Sequence, residues 1–196
     1  MKRLAVAKSR LAAVLDDDRR TRLVLGMLAR TIDAVRTAVP GLPIALAGEE
    51  RGLAERFGAK WLPDQGGLNG SLRLAADWAA GLKADGLLIL PGDLALLEPA
   101  DVAAILSVPS RRGIVVSPTH DGGTGALLLK PPGIIDPAFG PDSYRRHLAV
   151  ADRAGVPATT IERDAFRFDL DIPDDLWLLD GSGNEPVGEE AIRVHR

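Results

Sequence analysis

The chain of 196 residues is long enough for one domain with a complete core, and its 46% hydrophobic and 26% charged residues are ordinary for a globular protein. A formal net charge of -3 excludes the broad basic field of a nucleic-acid-binding protein, and the absence of cysteine excludes disulfides and thiolate metal sites. Because no apolar run reaches the roughly 18 residues of a membrane helix and no signal peptide is visible, we expect a cytoplasmic protein that binds neither membrane nor nucleic acid.

The first eleven residues are basic and have no apolar strand before them. Such a stretch is either a solvated terminus or a phosphate-binding loop. In the second interpretation Lys2, Lys8 and Arg10 supply cations, and Ser9 adds a hydroxyl. An α/β domain ordinarily opens with a strand that leads into such a loop, so we expect the natural protein to begin upstream of Met1.

The rest of the chain alternates helical and strand patterns. Three aspartates at positions 16–18 could cap a helix, and apolar residues recur at helical spacing over residues 17–38. Further helices are predicted over residues 49–57, 72–82, 99–106 and 143–153. Strands are predicted over residues 42–47, 60–62, 87–90, 113–117 and 126–129. This order predicts an α/β fold with a mostly parallel sheet, in one domain of residues 1–181 followed by a polar tail of residues 182–196.

The strand at residues 87–90 is the centre of the predicted sheet. Its four apolar residues show no alternation, which indicates a strand covered on both faces. Pro91 and Gly92 end the strand and leave Asp93 at the carboxyl edge, where open α/β sheets place their ligands. Asp93 is therefore a candidate ligand or metal residue, and the alternative is that it caps the next turn.

A glycine-rich turn at residues 65–71 precedes the next predicted helix. Glycines at Gly66 and Gly67 would admit close approach of a ligand to backbone N–H groups. The turn is neither a Walker loop nor a dinucleotide-binding fingerprint, and an ordinary loop with an Asn or Ser cap is the alternative.

The helix predicted over residues 143–153 carries two polar residues of interest. Ser143 could cap this helix, or its hydroxyl could meet a carboxylate or phosphate at the positive helix end. His147 follows one turn later, and a lone histidine on such a helix is more often structural than catalytic.

A second acidic site follows near the end of the domain. Asp169 and Asp171 are two residues apart, so in an extended segment both carboxylates point to the same side. Such like charges repel unless a cation lies between them, and oxygen ligands suit Mg²⁺. With Asp93 they would form a three-carboxylate magnesium site, and the alternative is that Asp171 only caps the helix after it.

An ordered set of motifs resembles the 2-phospho-L-lactate/phosphoenolpyruvate guanylyltransferase family of coenzyme F420 biosynthesis over residues 2–180. The motifs are Lys2-Arg3-Leu4, Ala7-Lys8-Ser9-Arg10-Leu11, Gly67-Leu68-Asn69, Gly92-Asp93-Leu94, Gly123-Thr124, Phe139-Gly140-Pro141-Asp142-Ser143 and Asp169-Leu170-Asp171-Ile172-Pro173. No single motif is specific, and the resemblance rests on their order.

The resemblance implies a three-layer nucleotidyltransferase fold of the glycosyltransferase A-like type. It also implies transfer of GMP from GTP to the phosphate of 2-phospho-L-lactate, phosphoenolpyruvate or 3-phosphoglycerate, with release of pyrophosphate and with Mg²⁺ as cofactor. A downstream enzyme of the pathway and a second copy of the chain are candidate partners. By residue, it implies metal ligands at Asp93, Asp169 and Asp171; acceptor-binding positions at Lys2, Leu68, Asn69, Thr124, Gly140 and Ser143; and nucleotide contacts at Lys8 and Arg10. With the basic loop and the glycine-rich turn assigned to GTP, Ser9, Gly66 and Gly67 are predicted to be further nucleotide contacts. Catalytic roles are expected for Lys8, Arg10 and Asp93.

The chain departs from the family pattern at three positions. Met1 stands where members carry a valine at the end of a strand, Gly125 where an asparagine usually follows the threonine, and Ala95 where a proline is common. Two alternatives therefore remain at this stage: a nucleotidyltransferase of the molybdenum-cofactor or sugar-phosphate type, and a nucleotide-binding protein without catalysis.

Overall fold

The computed structural model describes residues 9–168. Its helices are a 3-10 helix at Ser9–Ala13 and six α-helices: α1 Asp17–Ala38, α2 Arg51–Arg56, α3 Leu68–Gly81, α4 Pro99–Ser107, α5 Ser143–Arg153 and α6 Asp164–Arg167. Its strands are β1 Ala45–Ala47, β2 Lys60–Leu62, β3 Leu87–Ile89, β4 Gly113–Pro118, β5 Thr124–Lys130 and β6 Ala158–Thr160. Within this range, none of the helices has both the length and the apolar character needed to cross a bilayer.

The strands form two groups. β1 pairs with β2 in parallel, and the other strands form a four-stranded sheet in the order β3-β5-β4-β6. β4 and β6 are parallel, whereas β5 runs antiparallel to both β3 and β4. The α/β class is confirmed, and β5 is the exception to the parallel arrangement that we predicted. Its direction follows from the short link after Pro118, because a parallel neighbour requires a crossover of about a dozen residues or more.

The four-stranded sheet has helices on both faces. Val115 and Leu128 are paired in the register and pack into a cluster with residues of α1, α4 and α6. Their neighbours Ile114 and Leu127 pack into a second cluster with residues of α3 and α5. Because successive side chains of a strand alternate between faces, the two clusters lie on opposite sides of the sheet. The predicted three-layer arrangement follows.

Helix α1 matches its predicted range because its first turn is capped as expected. Asp16 is extended and its Oδ1 accepts a hydrogen bond of 2.7 Å from the N–H of Arg19. Other boundaries differ from the prediction. β1 begins at Ala45 rather than residue 42, consistent with Pro43 lacking an N–H for a ladder. Helix α3 begins at Leu68, four residues before the predicted start.

Candidate active site

One edge of the four-stranded sheet collects several of the predicted site residues. β3 pairs with β5 so that Ile89, its last residue, lies opposite Leu127. This antiparallel register puts the carboxyl end of β3 beside the amino end of β5, which begins at Thr124. Asp93, half-buried in the turn after β3, and Thr124 therefore flank the same sheet edge. Helix α4 is capped by Glu98, so Asp93 does not cap it.

An apolar cluster beside this edge joins three distant parts of the chain. Leu11, in the 3-10 helix, and Ala95, in the turn that follows Asp93, are both fully buried members of it. Phe168 packs against the same cluster. The other buried members are Leu15, Leu23, Val24 and Met27. The cluster therefore brings into contact three residues that stand next to predicted site residues in the chain: Leu11 follows the basic segment, Ala95 follows Asp93, and Phe168 precedes the second acidic site.

The glycine-rich turn is held in a conformation that only glycine adopts easily. Gly66 and Gly67 have φ of +71° and +86°, in the region that L side chains rarely occupy. The N–H of Gly67 donates to Asp64 Oδ1 at 2.8 Å. A Cβ on Gly70 would overlap the carbonyl oxygen of Gln65, so the turn folds back on the first turn of α3. Gly66 and Gly67 are both exposed, as a ligand-facing turn requires.

Asn69 joins this turn to the loop before α5. Its Nδ2 donates to the carbonyl of Phe139 at 3.0 Å, and its Oδ1 accepts from the N–H of Phe139 at 2.8 Å. Both polar atoms of the amide group are thus engaged by one backbone residue. Asn69 reaches the predicted acceptor region by clamping its loop, a role that the resemblance did not indicate. Its neighbour Leu68 is 52% exposed and faces solvent.

Thr124 and Ser143 are hydrogen-bonded to each other. The Ser143 Oγ lies 3.0 Å from Thr124 Oγ1, and both side chains are buried. The interpretation of Ser143 as a helix cap is wrong, because Asp142 occupies the N-cap position with φ of +52° and Ser143 is the first residue of α5. The hydroxyl is instead bonded to Thr124 at the sheet edge.

Gly140 completes this group. The N–H of Ser143 donates to the carbonyl of Gly140 at 3.1 Å, and Gly140 has φ of +123°. A Cβ there would come within 2.8 Å of Arg146 Nη2, so the guanidinium of Arg146 lies over the glycine. Nothing in the sequence pattern pointed to Arg146, since an exposed arginine on a helix is ordinarily a solvated side chain.

His147 is the buried partner that sequence reasoning left as structural. Its side chain is fully buried, with Nδ1 at 3.0 Å from Thr124 Oγ1 and Nε2 at 2.9 Å from the N–H of Ala138. The ring of Phe139 meets it edge-on, with centroids 4.9 Å apart. Desolvation lowers the pKa of His147 to about 4, and the positive charge of Arg146 acts in the same direction. The imidazole is therefore neutral at physiological pH.

The structure thus brings Asn69, Thr124, Gly140 and Ser143 together, with Asp93 at the same sheet edge. Ser9 and Arg10 lie in the 3-10 helix. Lys2, Lys8, Asp169 and Asp171 lie outside the described residues. Among residues 9–168, no three His, Asp or Glu side chains cluster closely enough to hold a metal ion.

Two departures from the family pattern have a physical reason in the fold. A Cβ on Gly125 would overlap the carbonyl oxygen of Phe166, so α6 crosses β5 where a larger residue has no space. Ala95 is fully buried in the apolar cluster beside Asp93. Both residues are therefore adapted to the packing of this chain.

Comparisons with known proteins show the family of the chain. Residues 1–190 match the family described as "Guanylyl transferase CofC like". A phosphoenolpyruvate guanylyltransferase of Rubrobacter xylanophilus is 43% identical over 188 residues, which cover 93% of this chain and 92% of that protein. A phosphoenolpyruvate guanylyltransferase of Sphaerobacter thermophilus is 39% identical over 196 residues, which cover 97% and 94%.

Solved structures support the fold. A putative nucleotide-diphospho-sugar transferase from Desulfovibrio desulfuricans G20 superposes with a TM-score of 0.76 at 17% identity, covering 97% of this chain and 88% of that one. The 2-C-methyl-D-erythritol 4-phosphate cytidylyltransferase of Thermus thermophilus gives 0.52 at 19% identity, covering 79% and 86%. The family match over residues 1–190 and the relatives at 43% and 39% identity show that the chain belongs to the guanylyl transferase CofC like family, which acts in coenzyme F420 biosynthesis.

Proposed function

We propose that this guanylyltransferase moves GMP from GTP to the phosphate of a small phosphorylated carboxylic acid, and that phosphoenolpyruvate is its acceptor. The observation that carries the assignment of the site is the apolar cluster of Leu11, Ala95 and Phe168, because these residues neighbour Arg10, Asp93 and Asp169 in the chain. The choice of phosphoenolpyruvate is supported by the names of the two relatives at 43% and 39% identity.

The reaction needs no covalent help from the protein. An oxygen of the acceptor phosphate attacks the α-phosphorus of GTP, the bond from that phosphorus to the oxygen bridging the β-phosphorus breaks, and pyrophosphate leaves. The acceptor phosphate is already ionised, so no general base is required. Alignment of the two anions and neutralisation of their charge are the contributions that the protein must make.

The acceptor is proposed to bind between α3, β5 and α5. Thr124 and Ser143 would offer their hydroxyl groups, and Gly140, where the absence of a Cβ leaves room for the guanidinium of Arg146, would form the wall of the pocket beside them. Leu68 and Asn69 would form the α3 side of this pocket, and Lys2 would add a cation.

GTP is proposed to bind across the glycine-rich turn and the basic segment. Gly66 and Gly67 are exposed and in the left-handed region, so backbone N–H groups of the turn can approach phosphate oxygens. Lys8 and Arg10 would neutralise the phosphates as catalytic cations, with Ser9 as an additional donor.

Mg²⁺ is the proposed cofactor, held by Asp93, Asp169 and Asp171. Asp93 fits this role, because it is a half-buried carboxylate at the sheet edge and carboxylate oxygens are the ligands that Mg²⁺ prefers. The other two follow Phe168, which packs against the cluster that includes Ala95. When bound, the metal would neutralise negative charge on the reacting phosphates. A cytoplasmic location, a homodimer and a downstream partner enzyme remain predictions from the sequence.

The test is pyrophosphate release from GTP with phosphoenolpyruvate, 2-phospho-L-lactate and 3-phosphoglycerate offered in parallel, each with Mg²⁺. We expect the highest kcat/KM with phosphoenolpyruvate and no release without an acceptor. ATP and CTP in place of GTP serve as matched nucleotide controls. A higher kcat/KM with either other acid would overturn the acceptor assignment, and no release with any acid would overturn the proposed reaction.

A further inference from the structure

His147 has both ring nitrogens engaged by groups of the acceptor region. The N–H of Ala138 lies 2.9 Å from Nε2, and Thr124 Oγ1 lies 3.0 Å from Nδ1. The side chain is fully buried, so water does not compete for either nitrogen. The histidine therefore has a defined hydrogen-bonding state that can be worked out from its partners.

The tautomer follows from Ala138. A backbone N–H can only donate, so Nε2 must accept and carries no proton. The ring is neutral, because burial and the charge of Arg146 both disfavour the imidazolium. Its single proton is consequently on Nδ1, where Thr124 Oγ1 accepts it at 3.0 Å, and the backbone carbonyl of Ser143 also accepts a hydrogen bond from the ring.

Among Thr124, Ser143 and His147, one hydroxyl proton has no hydrogen-bond acceptor. Thr124 and Ser143 have two hydroxyl protons but make one hydrogen bond with each other, at 3.0 Å. In the geometry observed, Ser143 donates and Thr124 Oγ1 accepts from both Ser143 and His147. Both lone pairs of Thr124 are then occupied, so its own O–H is directed away from these two partners.

The opposite tautomer would have the opposite effect. If Nδ1 lacked the proton, Thr124 would donate to it, and the hydroxyl pair would present only lone pairs to a ligand. Lone pairs repel a carboxylate or phosphate, whereas an O–H donor attracts it. The hydrogen bond from the N–H of Ala138 to Nε2 thus decides whether the Thr124–Ser143 pair offers a ligand a hydrogen-bond donor or only lone pairs.

We propose that His147 is a positioning residue that makes the Thr124–Ser143 pair a hydrogen-bond donor to an anionic oxygen of the acceptor acid. The inference rests on the proposed function, since it takes these hydroxyls to line the acceptor pocket. It adds a residue that contacts no substrate and acts through Thr124.

Two substitutions separate this role from simple packing. The side-chain amide of His147→Asn reaches the position of Nδ1, so it can still donate to Thr124 but loses the acceptor for Ala138. His147→Gln reaches the position of Nε2, so it can still accept from Ala138 but loses the donor to Thr124. A purely structural histidine that only clamps the loop would tolerate Gln better than Asn.

We expect the reverse order. His147→Gln should raise the KM for phosphoenolpyruvate roughly tenfold to a hundredfold, the effect of losing one hydrogen bond to a charged group, with a smaller rise for His147→Asn. The KM for GTP should change much less in both. An equal or larger rise for His147→Asn would overturn the proposal.

A double-mutant cycle with Thr124→Val gives an independent readout. If His147 acts through Thr124, His147→Gln should add little to the KM for phosphoenolpyruvate once the hydroxyl is gone, and additive effects would overturn the proposal. Thermal unfolding checks that each variant is folded. If neither His147 variant folds, Thr124→Ser should raise this KM less than Thr124→Val, and equal rises would exclude the hydroxyl donor. Absence of turnover in the wild type would instead reject the proposed function.

Discussion

Asn69 and Phe139, 70 positions apart in the chain, form a ring of two hydrogen bonds through the side-chain amide of one and the backbone of the other. The pair connects the first turn of α3 to the loop that carries Gly140. Since the turn at Gly66 and Gly67 lies just before Asn69 in the chain, this contact joins the proposed nucleotide and acceptor regions.

Replacement of Asn69 by alanine should loosen the acceptor loop. The backbone N–H and C=O of Phe139 would lose their partners, at a cost of roughly 1–3 kcal/mol in the free energy of unfolding for each buried group left unpaired. We also expect a higher KM for the acceptor acid. Urea unfolding and steady-state kinetics measure the two effects, with Asp77→Ala on the exposed face of α3 as control. Wild-type stability and KM in Asn69→Ala would contradict the clamp.

Two glycines in helices should respond in opposite directions to alanine. Gly26 in α1 has nothing within 4 Å of its Cβ position, so Gly26→Ala should raise the free energy of unfolding by about 0.5–1 kcal/mol. In α3, the Cβ that Gly70→Ala adds would overlap the carbonyl oxygen of Gln65. This substitution should therefore lower the free energy of unfolding by roughly 1–3 kcal/mol or more. Thermal melts of both variants test this, and equal shifts would argue against the fold of the turn.

Gly67→Ala should weaken GTP binding. Gly67 has φ of +86°, and a Cβ in that region costs roughly 1–2 kcal/mol, so the turn would shift from the conformation that faces the ligand. We expect a loss of affinity of roughly tenfold. Gly81→Ala at the other end of α3, where the Cβ position is also open, is the matched control. Unchanged GTP affinity by calorimetry in Gly67→Ala would count against a nucleotide contact at this turn.

The proposed metal site predicts strong effects of single acid-to-amide changes. Asp93→Asn should lower kcat by roughly a hundredfold or more, since metal-held charge neutralisation supplies several kcal/mol. Asp171→Asn should behave alike, and chelation of divalent ions should abolish turnover until Mg²⁺ is restored. The exposed Asp77→Asn should retain wild-type kcat. Wild-type rates in a folded Asp93→Asn variant would exclude this carboxylate as a metal ligand.

Stability should fall in mild acid because of His147. The pKa of its imidazole is about 4 in the fold against an ordinary value of 6.5, so the unfolded chain binds the proton first as the pH drops. The free energy of unfolding is therefore unaffected by protonation of His147 well above pH 6.5 and declines as the pH falls from 6.5 towards 4. At pH 5 it should be lower by about 2 kcal/mol.

Urea unfolding at pH 7.5 and pH 5 measures this loss. His147→Gln carries no titrating ring, so its free energy of unfolding should change less between the two pH values, while the carboxylates contribute equally to both proteins. The same pH dependence in the variant and the wild type would show that another group titrates.

Local signals were sufficient for some of these features. Helix α1 was predicted to the residue because Asp16 caps it and its buried residues recur with helical spacing. The position of Asp93 after a buried strand followed from apolar content and the Pro91-Gly92 stop. β5 was assigned to a parallel sheet, although the short connection before Thr124 permits only a hairpin.

Other features depend on contacts between distant segments. The bonds from Asn69 to Phe139 and from His147 to Thr124 leave no periodic pattern in the sequence, because each joins residues on separate elements. β6 was missed because all three of its residues are exposed and it lies at an edge of the sheet within the described chain. Gly125 stood out only as a departure from the family pattern, and the crossing of Phe166 over it explains the glycine.

The apolar cluster of Leu11, Ala95 and Phe168 has a consequence for the order of folding. Its members come from the beginning, middle and far end of the described chain, so it cannot close until the last of them has left the ribosome. Contacts of such long sequence separation form slowly, because the loop entropy must be overcome before they contribute. We therefore expect the apolar cluster, and the proposed active site beside it, to form late in folding. During refolding in vitro, secondary structure should return before turnover does.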